Sequence, residues 1–323
     1  MVKKLPNSCK VVVIGGGVIG CSVAYHLAKF GWKDTILLER DQLTSGTTWH
    51  AAGLVSQLGP SAGITKIRKY TLDLYKELEK KVDHSAGLRL NGALSIAENQ
   101  GRWEELKRQA TTAQLYDVDV KIFDKESVKE KFPIVNVENV IGGIFMPGDG
   151  AADPSGVTHM LAKAAKLEGA KIFEKSPVEK ILVKNGRIAG VRVNGTDIDC
   201  EYVVLASGMW SRQIGKKIGA SIPLYPAEHF YIITEPIDNL SKTLPVIRDF
   251  DNRTYIKEDA GKILVGIFEG NSIPAWNKTN KVPEDFSFGE FQENFEHFEP
   301  YLCLLYTSPS PRDLSTSRMP ACA

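Results

Sequence analysis

The hydrophobic pattern opens with an unbroken apolar run, Val11, Val12, Val13 and Ile14, followed by a glycine turn. Apolar residues then recur at helical spacing to about Phe30, and a second apolar run covers 35–38. Continuous apolarity over four residues marks a buried strand, and a period of 3.6 marks a helix with one buried face. Residues 10–40 therefore predict one strand–helix–strand unit. Gly31 sits where a helix C-terminal glycine belongs, so the return is short. Such a unit predicts parallel strands joined by a right-handed crossover.

Helical spacing returns at Ile67, Tyr70, Leu74, Leu78 and Val82, and again at Trp103, Leu106, Ala110 and Ala113, with a strand expected between them over 88–97. Asp153-Pro154 has the chemistry of an N-cap followed by a first-turn proline, and Met160, Leu161, Ala164 and Leu167 supply that helix with an apolar face. Alternating runs at 178–183 and 188–193 are joined by Asn185-Gly186, a hairpin signal. A buried strand over 202–206 ends at Ser207-Gly208, and later strands fit 230–234, 253–257 and 262–268. From about Cys303 the chain becomes Ser/Thr/Pro/Arg-rich without period and offers no core face. It resembles translated sequencing-adaptor read-through, so 303–323 is expected to be a non-native tail.

The chain has 323 residues, of which 43% are hydrophobic and 24% charged, a composition for globular structure with a sizeable core. Its 40 basic and 39 acidic residues leave a net charge of +1 with no single-sign block, which excludes a nucleic-acid footprint. No stretch reaches the roughly 20 apolar residues of a spanning helix, so membrane insertion is not expected. The first ten residues carry neither a secretory apolar segment nor an Arg-rich amphipathic leader. Five cysteines without framework or ligand spacing fit a reducing compartment and no metal.

Gly15, Gly17 and Gly20 form G-x-G-x-x-G directly after the first strand, and Glu39 follows nineteen residues beyond Gly20 at the end of the second. The first glycine permits the tight turn, the second admits a pyrophosphate to the backbone, and the third lets helix and strand pack closely. The helix N-terminus presents unpaired N–H groups to phosphates, and the Glu39 carboxylate can accept ribose hydroxyls. In this register the pattern predicts an ADP-ribose-containing cofactor. Glu39 disfavours a 2′-phosphate through like charge; the fingerprint leaves NAD and FAD open.

The loop after Glu39, Thr44-Ser45-Gly46-Thr47-Thr48-Trp49-His50-Ala51-Ala52-Gly53-Leu54, packs small residues around one Trp and one His. Small residues let backbone pass close to a flat ring. The run 45–53 resembles the flavin-attachment segment of the sarcosine and dimethylglycine dehydrogenase family, in which a histidine carries FAD covalently; His50 matches it. The resemblance continues through Asn91-Gly92, Pro147-Gly148-Asp149-Gly150, Asp153-Pro154, Ala206-Ser207-Gly208-Met209-Trp210, Glu228-His229-Phe230-Tyr231 and Arg248-Asp249. It spans nearly all of 11–302 and leans toward sarcosine dehydrogenase at 38–40, 43–48 and 57–58.

The resemblance implies an α/β fold, a Rossmann-type FAD-binding domain interleaved with a sheet-based α+β substrate domain. The expected boundaries are 1–87 and 150–215 for FAD, and 88–149 and 216–302 for substrate. The residues expected to hold FAD are Gly15, Gly17, Gly20, Glu39, Arg40, Ser45, Thr47, Thr48, His50, Ala52, Gly53, Val178, Ala206, Gly208 and Trp210. His229 and Tyr255 match residues lining the amine site, with Arg253 and Lys257 as secondary sources of charge, both expected at solvated strand edges. The implied reaction is oxidative demethylation of an N-methylated glycine, sarcosine first, giving an iminium and then glycine with formaldehyde or methylene-tetrahydrofolate. A later glycine-rich segment and a folate-binding domain of that family do not occur in this sequence. An electron-transferring flavoprotein is the expected partner, and the expected location is cytoplasmic in a bacterium or the mitochondrial matrix in a eukaryote. Dimethylglycine dehydrogenase, an amine oxidase, an NAD enzyme and a non-catalytic regulatory subunit like that of pyruvate dehydrogenase phosphatase are the alternatives; that last relative lacks the attachment histidine.

Overall fold

The computed structural model of the chain describes residues 4–305 and 316–320. The opening unit forms as the pattern predicts, with β1 (Ser8–Ile14), α1 (Val18–Lys29) and β2 (Thr35–Leu38) in order. The two strands pair in parallel, Val12 beside Ile36 and Ile14 beside Leu38. β3 (Leu54–Val55), α2 (Ala62–Val82), β4 (Ala93–Ala97), α3 (Gln100–Gln114), β5 (Lys121–Phe123), α4 (Lys125–Lys131), β6 (Gly142–Met146) and β7 (Gly150–Ala151) follow. Next come α5 (Pro154–Leu167), β8 (Lys171–Phe173), β9 (Val178–Lys184), β10 (Arg187–Val193), β11 (Thr196–Leu205) and α6 (Ser211–Lys216). The described chain ends with β12 (Tyr231–Ile233), β13 (Val246–Asp249), β14 (Thr254–Asp259), β15 (Lys262–Ile267), β16 (Glu290–Phe291), α7 (Phe295–Leu305) and β17 (Thr316–Pro320).

The fold is α/β. One sheet runs β8-β2-β1-β11-β10-β9, with β8, β2, β1 and β11 parallel; a second runs β16-β17-β12-β15-β14-β13-β4-β6-β5 and is mainly antiparallel. The short pair β3–β7 is a third sheet. β1 is apolar at every inner position because both its faces are covered. Val11 and Val13 pack under α1 and α5 with Tyr25, Met160 and Leu161, while Val12 and Ile14 pack with Val191, Val193 and Ile198.

Caps set the helix starts. The Asp153 carboxylate accepts the N–H groups of Ser155 and Gly156 at 3.0 Å each, with Pro154 at the first helical position. Asn185 and Gly186 both adopt positive φ, the turn that the β9–β10 hairpin requires.

Four expectations are corrected. Ile67 and Tyr70 are exposed rather than on the buried face of α2, which is Thr65, Leu72, Leu74, Leu78 and Val82; Tyr70 instead meets His26 Nε2 at 2.8 Å. Leu167 is exposed in the last turn of α5. The strand expected over 88–97 begins only at Ala93, because Gly92 turns with φ 92°. The strand expected at 202–206 begins at Thr196, extended by a hairpin through Asn194 and Gly195. β6 and β13 carried no clear signal, β6 because Gly142 and Gly143 dilute its apolar pattern. Of the expected tail, 306–315 and 321–323 lie outside the described residues, while 316–320 adds a strand beside β12, a pairing made by backbone alone. No described helix is long and apolar enough to cross a membrane.

Candidate functional site

The glycine turn after β1 is closed tightly against the end of β11. A Cβ on Gly15, whose φ is 112°, would lie 2.4 Å from the Ala206 carbonyl oxygen, and one on Gly20 would lie 1.9 Å from that of Gly15. No side chain fits at either position, so the backbone itself forms the cradle wall. Ala206 N–H donates to the Ile14 carbonyl at 2.9 Å, which holds that wall to β1. Gly208 follows with positive φ.

Glu39, buried at the end of β2, accepts the Gly16 N–H at 2.6 Å on one carboxylate oxygen and the Asp41 N–H at 2.9 Å on the other. Burial pushes its carboxyl up, against those two hydrogen bonds. Each oxygen keeps a second lone pair, so the group can brace the glycine loop and still accept a ribose hydroxyl. Val178, at the start of β9, lies just past Ser176, whose N–H donates to the Glu39 carbonyl at 2.8 Å.

The loop after β2 folds back over the start of α1. Thr48 Oγ1 accepts the Val18 N–H at 3.2 Å, so this hydroxyl caps a helix whose own N-cap, Gly17, has no side chain. Ser45 is buried and its carbonyl accepts the Phe288 N–H at 2.9 Å. Thr47 is half-buried beside it. The Arg40 guanidinium stacks 3.7 Å from the Trp210 ring centroid and donates to the carbonyls of Glu284 and Phe286. Trp210 donates its indole N–H to the Pro283 carbonyl at 2.9 Å. These contacts tie residues 282–288 down as a strap across the loop.

Trp49 and His50 stand edge to face with centroids 4.7 Å apart. Trp49 Nε1 is buried without a partner among the described residues, a donor that a bound group's acceptor would satisfy. Burial, with His229 nearby as a second cause, lowers the His50 pKa to about 4. His50 is therefore a neutral imidazole at pH 7, with a lone pair on one ring nitrogen. Gly53 closes the loop with φ 71° and accepts the Ala152 N–H at 2.8 Å.

The second sheet meets this loop face on. Ala52 and Leu54 pack against Tyr231, Tyr255 and Leu264. Tyr231 lies opposite Gly266, Gly266 opposite Tyr255, and Tyr255 opposite Arg248, so all four share one face. Gly266 makes the room: a Cβ there would lie 2.0 Å from the Tyr255 ring. His229 stacks on Tyr255 with centroids 6.5 Å apart and the rings 20° from parallel. Its Nδ1 meets Glu269 Oε2 at 2.9 Å.

The expected cofactor residues thus converge on one cradle and the expected amine-site pair on the facing sheet. Of the two secondary cations, one lies as expected and one does not. Arg253 is exposed and turned toward Gly270. Lys257 is buried rather than solvated, 3.7 Å from Asp259, and burial lowers its pKa. Two residues escaped notice. Arg248 was legible only as part of a resemblance; it stands opposite Tyr255, half-buried, 3.7 Å from the fully buried Asp149. Glu269 had no signal, because an acid after an apolar strand ordinarily reads as a solvated edge.

The tight glycine turn at Gly15 and Gly20, an acid at the end of β2 and an unpartnered indole N–H in the loop fit a dinucleotide with a flat ring system. Comparison with known proteins agrees. The chain is 38% identical over 296 residues to a 4-methylaminobutanoate oxidase (formaldehyde-forming) of Paenarthrobacter nicotinovorans, covering 92% of this chain and 36% of that protein. It is 36% identical over 306 residues to human mitochondrial sarcosine dehydrogenase, covering 93% and 33%. The chain therefore spans about a third of the length of the curated relatives it matches. Among solved structures, L-proline dehydrogenase from P. horikoshii superposes with a TM-score of 0.81 at 25% identity, over 98% of this chain and 82% of that one. Residues 10–310 match the FAD dependent oxidoreductase (DAO) family, and the chain belongs to it.

Proposed function

We propose that the full-length protein oxidises the N-methyl group of a small amino acid, sarcosine first, with FAD bound covalently through His50. The observation that carries this reading is the apposition of His50 in the glycine-braced loop with His229 and Tyr255 on the facing sheet. When bound, FAD would supply a two-electron acceptor for hydride from the N-methyl carbon. The protein groups orient and deprotonate. His229 takes the ammonium proton so that the nitrogen lone pair can drive C–H cleavage. Tyr255 and Arg248 stand opposite one another on neighbouring strands, and a hydroxyl and a guanidinium are suited to a carboxylate. The iminium left behind adds water and separates into glycine and formaldehyde; with a folate domain present, tetrahydrofolate captures the one-carbon unit instead. An electron-transferring flavoprotein is the proposed acceptor.

The relatives bracket the substrate by the spacing of nitrogen and carboxylate. A single carbon separates them in sarcosine and three do in 4-methylaminobutanoate. Anaerobic flavin reduction by sarcosine, dimethylglycine, 4-methylaminobutanoate and glycine decides among them. Sarcosine is expected to be fastest and glycine, which lacks the methyl, to be inert; a faster 4-methylaminobutanoate would overturn the sarcosine assignment. Tyr255→Phe is expected to weaken sarcosine binding roughly tenfold or more while changing the limiting rate little. An unchanged titration of sarcosine would remove Tyr255 from the carboxylate site.

Glu39→Ala is expected to weaken FAD binding by about 1–3 kcal/mol, through loss of a buried charged acceptor for ribose and of the brace on Gly16. In a His50→Ala background, where the cofactor is exchangeable, fluorescence titration with FAD reads this directly. Equal affinity with and without the carboxylate would make Glu39 a structural residue only.

A further inference from the structure

We propose that Glu269 is the positioning residue that fixes the ring tautomer of His229, making its Nε2 the proton acceptor for the substrate ammonium. This rests on the amine-oxidising reading of the site above. Glu269 follows the end of β15, and its side chain is 2% exposed, against 25% for His229. A carboxylate taken out of water is costly unless its oxygens are matched by donors. Here both are matched, and by one dipeptide: Oε2 faces His229 Nδ1 at 2.9 Å and Oε1 accepts the Phe230 N–H at 2.9 Å. The Ile267 N–H donates to the Phe230 carbonyl at 3.3 Å, so the histidine just before β12 and the acid just past β15 are held side by side.

The chemistry follows from what each atom can do. A carboxylate only accepts, so His229 Nδ1 must carry the hydrogen. In the neutral ring the lone pair is then on Nε2. Tyr255 and Phe268 pack against the histidine together, at 6.5 Å and 6.0 Å between centroids and 5.2 Å from each other. When a secondary ammonium binds, its N–H proton passes to Nε2, the nitrogen keeps the electron pair, and the ring becomes an imidazolium beside the Glu269 carboxylate. No oxidant is needed for this step. Besides Glu269, the titratable groups facing the ring among the described residues include Tyr255 from β14 and His50 from the cofactor loop.

Glu269→Gln separates the carboxylate from its shape. A carboxamide has one acceptor oxygen where the carboxylate has two, so either Nδ1–H or the Phe230 N–H loses its partner. The test uses the full-length holoprotein with ring-15N-labelled histidine, measured by solid-state NMR, with His229→Gln assigning the resonance. The proposal expects His229 protonated on Nδ1 in the parent and redistributed toward Nε2 in Glu269→Gln. In stopped flow, the variant should reduce its flavin with sarcosine at least about tenfold more slowly, with the sarcosine dissociation constant changed less than about threefold. Flavin occupancy and thermal midpoint check that the variant is folded; if it is not, the parent tautomer alone decides. His229 protonated on Nε2 in the parent, or an unchanged reduction rate in a folded variant, would overturn the proposal. If sarcosine fails to reduce the parent's flavin, the proposed function fails instead, while the tautomer measurement still tests the pair.

Discussion

His50→Ala, in the full-length holoprotein, is expected to release all flavin into the supernatant on acid precipitation, whereas the parent keeps its yellow colour in the pellet. The expectation starts from the ring's environment. Forming a bond to the isoalloxazine ring requires an uncharged imidazole nitrogen, and burial beside His229 holds the His50 pKa at about 4. The ring is neutral throughout the physiological range, so its lone pair is available for attachment. The sign of the pH dependence follows. A histidine whose folded pKa lies below its unfolded value of 6.5 resists protonation in the fold, so stability falls as pH drops from about 6.5 through 4. Apoprotein loading should accordingly be flat above about pH 6 and decline toward pH 4. Flavin still bound to the denatured His50→Ala protein would place the attachment at another residue.

His229→Ala is expected to lower the limiting rate of flavin reduction by roughly 10²- to 10⁴-fold, the range that a positioned general base contributes. Binding of substrate should change far less, since Tyr255 and Arg248 remain on their strands. The loss should be steepest near neutral pH, where the substrate is almost entirely ammonium, and should shrink at high pH, where free amine is present without help. A variant that reduces its flavin at the parent rate at pH 7 would leave His229 as a packed inter-strand residue and nothing more.

The opening unit was legible because its pattern has a mechanical cause: four apolar residues buried on both faces, then Gly15 and Gly20 where no Cβ fits. His50, His229 and Tyr255 could be singled out only by resemblance, since no periodicity brings residue 50 to residue 229. Their apposition is made by Ala52 and Leu54 packing on Tyr231 and Tyr255, a contact between distant segments. Arg40, expected beside Glu39 among the cofactor residues, also makes contacts no local pattern shows: Trp210 and two carbonyls of the strap hold its guanidinium. Glu269 and Arg248 were hidden for a related reason. A charged residue in or just past a strand reads as solvated, and only the tertiary contacts show that these two are drawn into the molecule.

The central claim is that an N-methyl amino acid gives up two electrons at this cradle, and anaerobic stopped-flow mixing of the full-length holoprotein with sarcosine tests it without reference to any later acceptor. The account predicts saturable bleaching of the oxidised flavin band, with no bleaching by glycine and formaldehyde released in step with the flavin reduced. An oxidised spectrum that persists with sarcosine, dimethylglycine and 4-methylaminobutanoate alike, in protein fully loaded with flavin, would contradict it and favour a non-catalytic regulatory role.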